Sequence, residues 1–270
     1  MMMEPKSRPT QPTGSYASVN GIKMYYEVQG SGTPLVLLHG GGSTIKTTFG
    51  RIMPALSKTH RVIAVELQAH GHTGDRDAPE TFAQDADDVA ELLKQLDIPQ
   101  ANIMGFSNGG QTSLEIALRH PGRVGKLIIA SAFYQREGVL AAFWKGFDDP
   151  QFSYLPQVYK DEYLKIGSQA GLVNMFNKDA QRMKVFKDWA DEELRSVQAP
   201  VLVVIGDRDL ATPEHAAKMA RLFPHGRLAI LPGNHGSYMG EVMSPNPDSK
   251  MPDLFVAMVN EFLETQADTN

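Results

Sequence analysis

Ser107 stands in Gly105-Phe106-Ser107-Asn108-Gly109, between an apolar run at 101–106 and a helix-like segment that begins at Asn108. A serine with glycines at both second neighbours, where a strand gives way to a helix, is the arrangement of a nucleophile held on a sharp turn with its hydroxyl exposed. Side chains at the flanking positions would obstruct so tight a turn. The helix that follows aims free N–H groups and its positive dipole end at the point where negative charge develops in acyl transfer. The chemistry implied is attack on an acyl carbon. It requires a base, an acid and an oxyanion site from elsewhere in the chain.

Of the eight histidines, His235 is the expected base, because it follows the last strand-like run in Leu231-Pro232-Gly233-Asn234-His235-Gly236. Alone it would read equally well as a surface-loop histidine; beside a serine turn it has a role to fill. The base needs a carboxylate to fix its tautomer. The run 201–205 leads into Gly206-Asp207-Arg208-Asp209, with Pro213 opening the next helix. Asp209 is the expected acid and Asp207 the alternative, since either could also serve as a turn or cap carboxylate. The order Ser107, Asp209, His235 differs from that of the other common serine triads. Two N–H donors are needed for the oxyanion: Asn108, directly after the serine, and a residue of His39-Gly40-Gly41-Gly42, with Gly41 expected. A glycine triplet could also cradle phosphate, but no Lys-Ser/Thr pair follows at P-loop spacing.

These residues need a scaffold, and the chain supplies one. Residues 16–19 and 22–28 read as a hairpin, and 34–39, 61–67, 101–106, 126–131 and 200–205 as strands buried on both faces. The segment 81–96 is the clearest helix, with Phe82, Ala86, Val89, Leu93 and Leu96 at spacings of three and four. Further helices are expected at 108–120, 213–222 and 251–264, with a last strand at 227–231. Alternating strands and helices predict an α/β fold: a mostly parallel sheet covered on both faces, with its ligand site at the carboxyl ends of the strands.

His39-Gly-Gly-Gly42, Arg61 to Leu67 with His70-Gly71 behind it, Gly105 to Gly110, Gly206 to Asp209 with Pro213, and Pro232 to His235 together resemble the α/β-hydrolase superfamily, in its serine-nucleophile branch with a helical cap. The resemblance runs from about residue 16 to 262 and implies Asp209 rather than Asp207 as the acid. Glu66 replaces the commoner Asp, and His72-Thr73 the commoner Arg-Ser, away from the proposed chemistry. His70 and His72 could suggest a metal pair, but no further ligand stands at the right spacing. His39 is expected to brace the oxyanion loop.

The alternation lapses at 132–198, which is mainly helical and aromatic-rich, with ten of the chain's 22 aromatic residues between Phe143 and Trp189, including Trp144 and Trp189 themselves. We expect a helical cap here, inserted between the sixth and seventh strands of a core formed by 15–131 and 199–270. Residues 1–14 are expected to be a disordered tail. Most cap aromatics should form the cap's own small core, but some should roof Ser107. Gly40, Phe106, Phe143, Trp144 and Phe147 are the expected substrate-binding residues.

With a net charge of −5 and no basic stripe, nucleic acid is not an expected partner, and no run approaches a membrane span. Without cysteine there is no disulfide, thiolate metal site or cysteine nucleophile. The N-terminus lacks the apolar centre of a signal peptide, so the cytoplasm is the expected location, although an exported chain shown without its leader would look the same. The expected partner is a small ester-type molecule, with no metal or other cofactor, and the chain as a monomer or homodimer. The function expected is hydrolysis of a carboxylic ester, lactone or thioester through acyl-Ser107. The alternatives are the same triad used for C–C hydrolysis, perhydrolysis or lyase chemistry, and a ligand receptor with vestigial turnover.

Overall fold

The computed structural model describes residues 14–265; the tail expected at 1–14 lies, except for Gly14, outside the described residues. The strands are β1 (Ser15–Val19), β2 (Ile22–Gln29), β3 (Thr33–Leu38), β4 (His60–Val65), β5 (Ala101–Phe106), β6 (Val124–Ala130), β7 (Val201–Gly206) and β8 (Gly226–Leu231). They form one eight-stranded sheet in the order β1-β2-β4-β3-β5-β6-β7-β8. β2 runs antiparallel to β1 and β4, and every other pairing is parallel.

Alternate residues of the central strands face opposite layers, as the two-residue period requires. Leu35, Leu37, Val62 and Ala64 pack on α1 (Ile45–Phe49), α2 (Met53–Leu56) and α10 (Met251–Glu264). Val36, Leu38, Ile63 and Val65 belong to the layer of α3 (Phe82–Gln95), α4 (Asn108–Arg119) and α9 (Pro213–Leu222). The apolar face of α3 buries Phe82, Ala86, Val89 and Leu93. Thr81 stands outside as the N-cap, its hydroxyl accepting the Gln84 N–H. β4 ends earlier than the sequence suggests: the Glu66 N–H still reaches the Tyr25 carbonyl of β2 at 3.0 Å, but its carboxylate turns to the His72 N–H and Nδ1 at 2.6 and 2.9 Å, and the Leu67 N–H goes to His39 Nε2 at 3.0 Å. The longer Glu thus reaches the shorter His72 side chain.

Between β6 and β7 lie α5 (Ala141–Lys145), α6 (Gln157–Tyr163), α7 (Gln169–Lys184) and α8 (Asp191–Ser196). Leu155, Tyr163, Leu172 and Met175 form a small core there together with Ala69 from the loop after β4, with Phe152, Tyr159 and Phe176 against it. Met183, Phe186, Trp189 and Leu194, by contrast, join the main core. The insertion is therefore anchored at both ends, since Phe133, Tyr134 and Val139 before α5 belong to the main core as well. The chain passes from β3 outward to β4 and returns on the other side to β5, so the loops after β3 and β5 flank a topological switch point.

Candidate active site

Ser107 follows β5 directly and opens α4, with φ +52° and ψ −124°. A non-glycine residue in this region costs on the order of 1–3 kcal/mol and persists only when its surroundings over-determine it. They do: its N–H donates to the Ala130 carbonyl at 2.9 Å, and its own carbonyl accepts the Gly110 N–H at 2.6 Å. The flanking glycines are obligatory. A Cβ on Gly105 would lie 2.0 Å from the Gly109 oxygen, and one on Gly109 would lie 2.1 Å from the Leu38 oxygen.

Asp209 and His235, from the loops after β7 and β8, meet at 2.6 Å between Oδ1 and Nδ1. Asp207 instead accepts the Gly233 N–H at 2.7 Å, which ties down the histidine loop. Asp209 is buried and also accepts from Leu210 N–H (2.7 Å), Ser131 Oγ (2.5 Å) and Gly206 N–H (3.3 Å). Burial pushes its carboxyl up, but the hydrogen bonds and the nearby imidazole hold it below its ordinary range. Since the carboxylate can only accept, Ser131 donates to it, and the buried Tyr238 hydroxyl, 2.8 Å away, donates in turn to Ser131. Ser131 is itself strained, at φ +52°. Neither Ser131 nor Tyr238 was anticipated from the sequence; a serine just past a strand and a tyrosine after His235 carry no signal of this relay.

The glycine loop is aimed from behind by His39. Its Nε2 accepts the Leu67 N–H at 3.0 Å, so Nδ1 carries the proton and donates to the Gly40 carbonyl at 2.8 Å. Burial and the neighbouring His70 push His39 down to about 3, keeping it neutral. Ser43 Oγ adds a second donor to the Gly40 oxygen at 2.7 Å. The Gly41 N–H shares that peptide plane and points opposite to the carbonyl, so two bonds to one oxygen fix the direction of a donor. Gly41 lies against Asn108: a Cβ there would be 2.5 Å from Asn108 Nδ2. Among the described residues, neither the Gly41 N–H nor the Asn108 N–H is bonded to a protein acceptor.

Ser107, His235, Gly41 and Asn108 line one cavity of about 680 Å³. Gly40, Phe106, Phe143 and Phe147 also line it, as do Tyr159, Phe176 and Met183 of the insertion. Trp144 does not. Its indole N–H is held by the Arg136 carbonyl at 2.9 Å and its ring packs on Phe133 and Phe186, so it belongs to the main core. The cavity wall also carries the buried Glu241, which accepts the Tyr159 hydroxyl at 2.6 Å and the Met243 N–H at 2.7 Å. Burial raises that carboxyl above its usual range.

A buried charge cluster beneath the glycine loop is the largest feature absent from the sequence reading. Asp179, on α7, accepts from the Gly42 N–H (2.6 Å), His70 Nε2 (2.9 Å), Asn108 Nδ2 (3.3 Å) and Arg182. Arg182 reaches on to Asp85 of α3 at 2.8 Å, with Glu80 nearby. His70 Nδ1 faces Gln68 O at 2.8 Å, while Nε2 lies 2.9 Å from Asp179 and 3.2 Å from the Gly42 nitrogen, whose N–H is shared between the two. Burial alone would depress His70; the Asp179 carboxylate raises it to about 9. Burial likewise pushes Asp179 up, but His70 and Arg182 hold it far below its usual range. His70 and His72 thus serve different carboxylates.

The sheet order and the strained serine after β5 agree with a family model described as alpha/beta hydrolase fold, which matches residues 33–159. The chain has the α/β-hydrolase fold. It is 28% identical to the human serine hydrolase BPHL, over 94% of its own length and 88% of that protein. It is also 28% identical to a pimeloyl-[acyl-carrier protein] methyl ester esterase of Nitrosospira multiformis, over 89% and 98% of the two chains. Among solved structures it resembles the enol-lactonase of Burkholderia xenovorans, with a TM-score of 0.72 and 23% identity, covering 93% of this chain and all of that one. Among the described residues, no helix is long and apolar enough to cross a membrane.

Proposed function

We propose that this α/β hydrolase cleaves a small carboxylic ester, or a lactone or thioester, through an acyl-Ser107 intermediate. The observation that carries the reading is the 2.6 Å bond from His235 to the buried Asp209, at the wall of the cavity that Ser107 also lines. With Nδ1 committed to Asp209, Nε2 is the ring position that takes the Ser107 proton as Oγ attacks the acyl carbon. The imidazolium so formed is stabilised by Asp209 and returns the proton to the leaving alkoxide. Water, deprotonated by the same Nε2, then releases the acid and regenerates Ser107. The N–H groups of Gly41 and Asn108 receive the oxyanion, helped by the N-terminal end of α4. Residues 132–198 act as the cap. Their apolar contribution to the wall, with Phe143, Phe147 and Phe176, suits a modest apolar or aromatic acyl or alcohol group. The ester and lactone named for two of the proteins compared above agree with this class of substrate.

The test is the time course of 4-nitrophenyl acetate and butyrate hydrolysis by wild type and Ser107→Ala. Removal of a triad nucleophile should lower kcat by at least about 10³-fold. Equal slow rates in both proteins would refute the assignment of Ser107. A stoichiometric burst without turnover would refute ester hydrolysis while leaving acylation in place.

A further inference from the structure

We propose that Asp179, carried on α7, is a positioning residue for the oxyanion site: it holds the glycine loop and the residue after Ser107 in fixed relation to one another. The proposal rests on the acyl-serine reading above. One carboxylate reaches both halves of the site, accepting the Gly42 N–H through Oδ2 at 2.6 Å and Asn108 Nδ2 through Oδ1 at 3.3 Å. The Gly42 N–H belongs to the peptide that follows Gly41, and the preceding peptide is held at the Gly40 oxygen by His39 and Ser43. Gly41 is therefore clamped on both sides, once by the core and once by the insertion. A run of three glycines has little conformational preference of its own, so these clamps decide where its N–H points.

The same carboxylate has no capacity left for a substrate. Its remaining acceptor positions are taken by His70 Nε2 and by Arg182, and four donors satisfy an ionised carboxylate. Its own charge would oppose an oxyanion, since a Cβ on Gly41 would lie only 3.2 Å from Oδ2. His70 and Arg182, both bonded to it, offset that charge in part, since Arg182 is shared with Asp85 and Glu80. Arg182 is tied in turn to Asp85 of α3 at 2.8 Å. A chain of bonds therefore runs from the core through α7 and back into the loop, and the oxyanion site is complete only with the insertion seated.

The experiment uses the full chain and two readouts: the rate at which a 4-nitrophenyl alkylphosphonate modifies Ser107, releasing nitrophenolate, and kcat and KM on 4-nitrophenyl butyrate. Asp179→Asn puts an amide N–H against one pair of donors and should slow phosphonylation and lower kcat by about 10–100-fold, because a loosened oxyanion donor is lost chiefly in the transition state. KM should stay within about threefold, as expected when only transition-state binding suffers. Lys178→Ala is the control. Lys178 clasps the insertion to Asp75, Arg76 and Ala78 without touching the glycine loop, and its loss should leave phosphonylation within about twofold. Equal slowing by Lys178→Ala would mean that general loosening of the insertion is the cause, and would overturn the proposal. So would Asp179→Asn reacting at the wild-type rate while Ser107→Ala is silent. If Ser107→Ala is modified as fast as wild type, the acyl-serine reading falls, and this proposal with it. Should Asp179→Asn not fold, Asn108→Ala removes one donor and no charge; it should slow phosphonylation by about 3–10-fold, and an unchanged rate counts against the proposal.

Discussion

Ser131→Ala tests whether the Asp209 carboxylate depends on its buried relay. The mutation removes the 2.5 Å hydrogen bond to Asp209 and strands the Tyr238 hydroxyl, which has Ser131 as its partner. A hydrogen bond to a charged group is worth about 1.5–3 kcal/mol, and a stranded buried donor costs about 1–3 kcal/mol. The two losses overlap, because the freed tyrosine can relax, so a total of about 2–4 kcal/mol is expected at pH 7. For a chain of this length that lowers Tm by about 4–15 °C. The sign with pH follows from the depressed carboxyl. Its contribution is present above the ordinary carboxylate range and is lost as pH falls through the folded value. The gap between wild type and Ser131→Ala should therefore narrow on acidification, and the acid limb of kcat/KM should move to higher pH in the variant. Tyr238→Phe removes only the outer donor and should cost about 0.5–1.5 kcal/mol. Urea unfolding at several pH values, with kcat/KM profiles on 4-nitrophenyl butyrate, reads all three. A Ser131→Ala protein within about 0.5 kcal/mol of wild type at pH 7, the range of an ordinary surface substitution, would refute the reasoning.

Two further predictions concern the loop glycines and the buried cluster. Gly109→Ala drives a Cβ to 2.1 Å from the Leu38 carbonyl, which is backbone and cannot yield, so soluble folded protein should be lost; Gly41→Ala meets the end of the Asn108 side chain at 2.5 Å, and should fold but lose about 10²-fold in kcat. Recovery of both as equally stable proteins would contradict the packing described. His70 is raised from 6.5 to about 9, so its contribution to stability is full below pH 6.5 and lost as pH rises through 9. Burial also raises Glu80, to about 8, and Asp85, to about 6, and both act in the same direction. Urea midpoints should fall between pH 6.5 and 9, and His70→Gln should flatten the upper part of that slope; a flat wild-type profile would count against a charged His70 in the fold.

The parts legible in the sequence are those that depend on neighbours in the chain. A strained serine needs glycines two residues away on each side, because the clash is with Gly109 and Leu38 at the turn itself. A parallel strand buried on both faces must be apolar throughout, so β3, β5 and β7 announce themselves. The lengths were less legible where a side chain pulls backbone out of the sheet. β4 ends early as the Leu67 N–H goes to His39 Nε2 and the Glu66 carboxylate turns to His72, and Ser131 ends β6 at a positive φ to reach Asp209. Trp144 shows the same limit in the insertion: an aromatic residue near the site has the composition of a pocket wall, but its indole N–H decided its place by finding the Arg136 carbonyl.

The charge cluster was illegible for a different reason. Asp179 and Arg182 stand three apart on a helix, a spacing that on any exposed face would be an ordinary surface pair worth a few tenths of a kcal/mol. Nothing in that spacing says that the pair is buried, or that its partners Gly42, His70 and Asp85 lie about a hundred residues away in the chain. Burial changes what the same residues can do. In water the carboxylate would be one more solvated charge, whereas here an unpaired ion is costly enough that the geometry of its donors is enforced. A buried carboxylate that must keep four donors can therefore fix a glycine loop that has no stiffness of its own. The insertion is where such a carboxylate would be expected, because it supplies part of the wall of the cavity that Ser107 lines. On this reasoning, the catalytic rate should follow the integrity of the Asp179 bonds more closely than it follows overall stability.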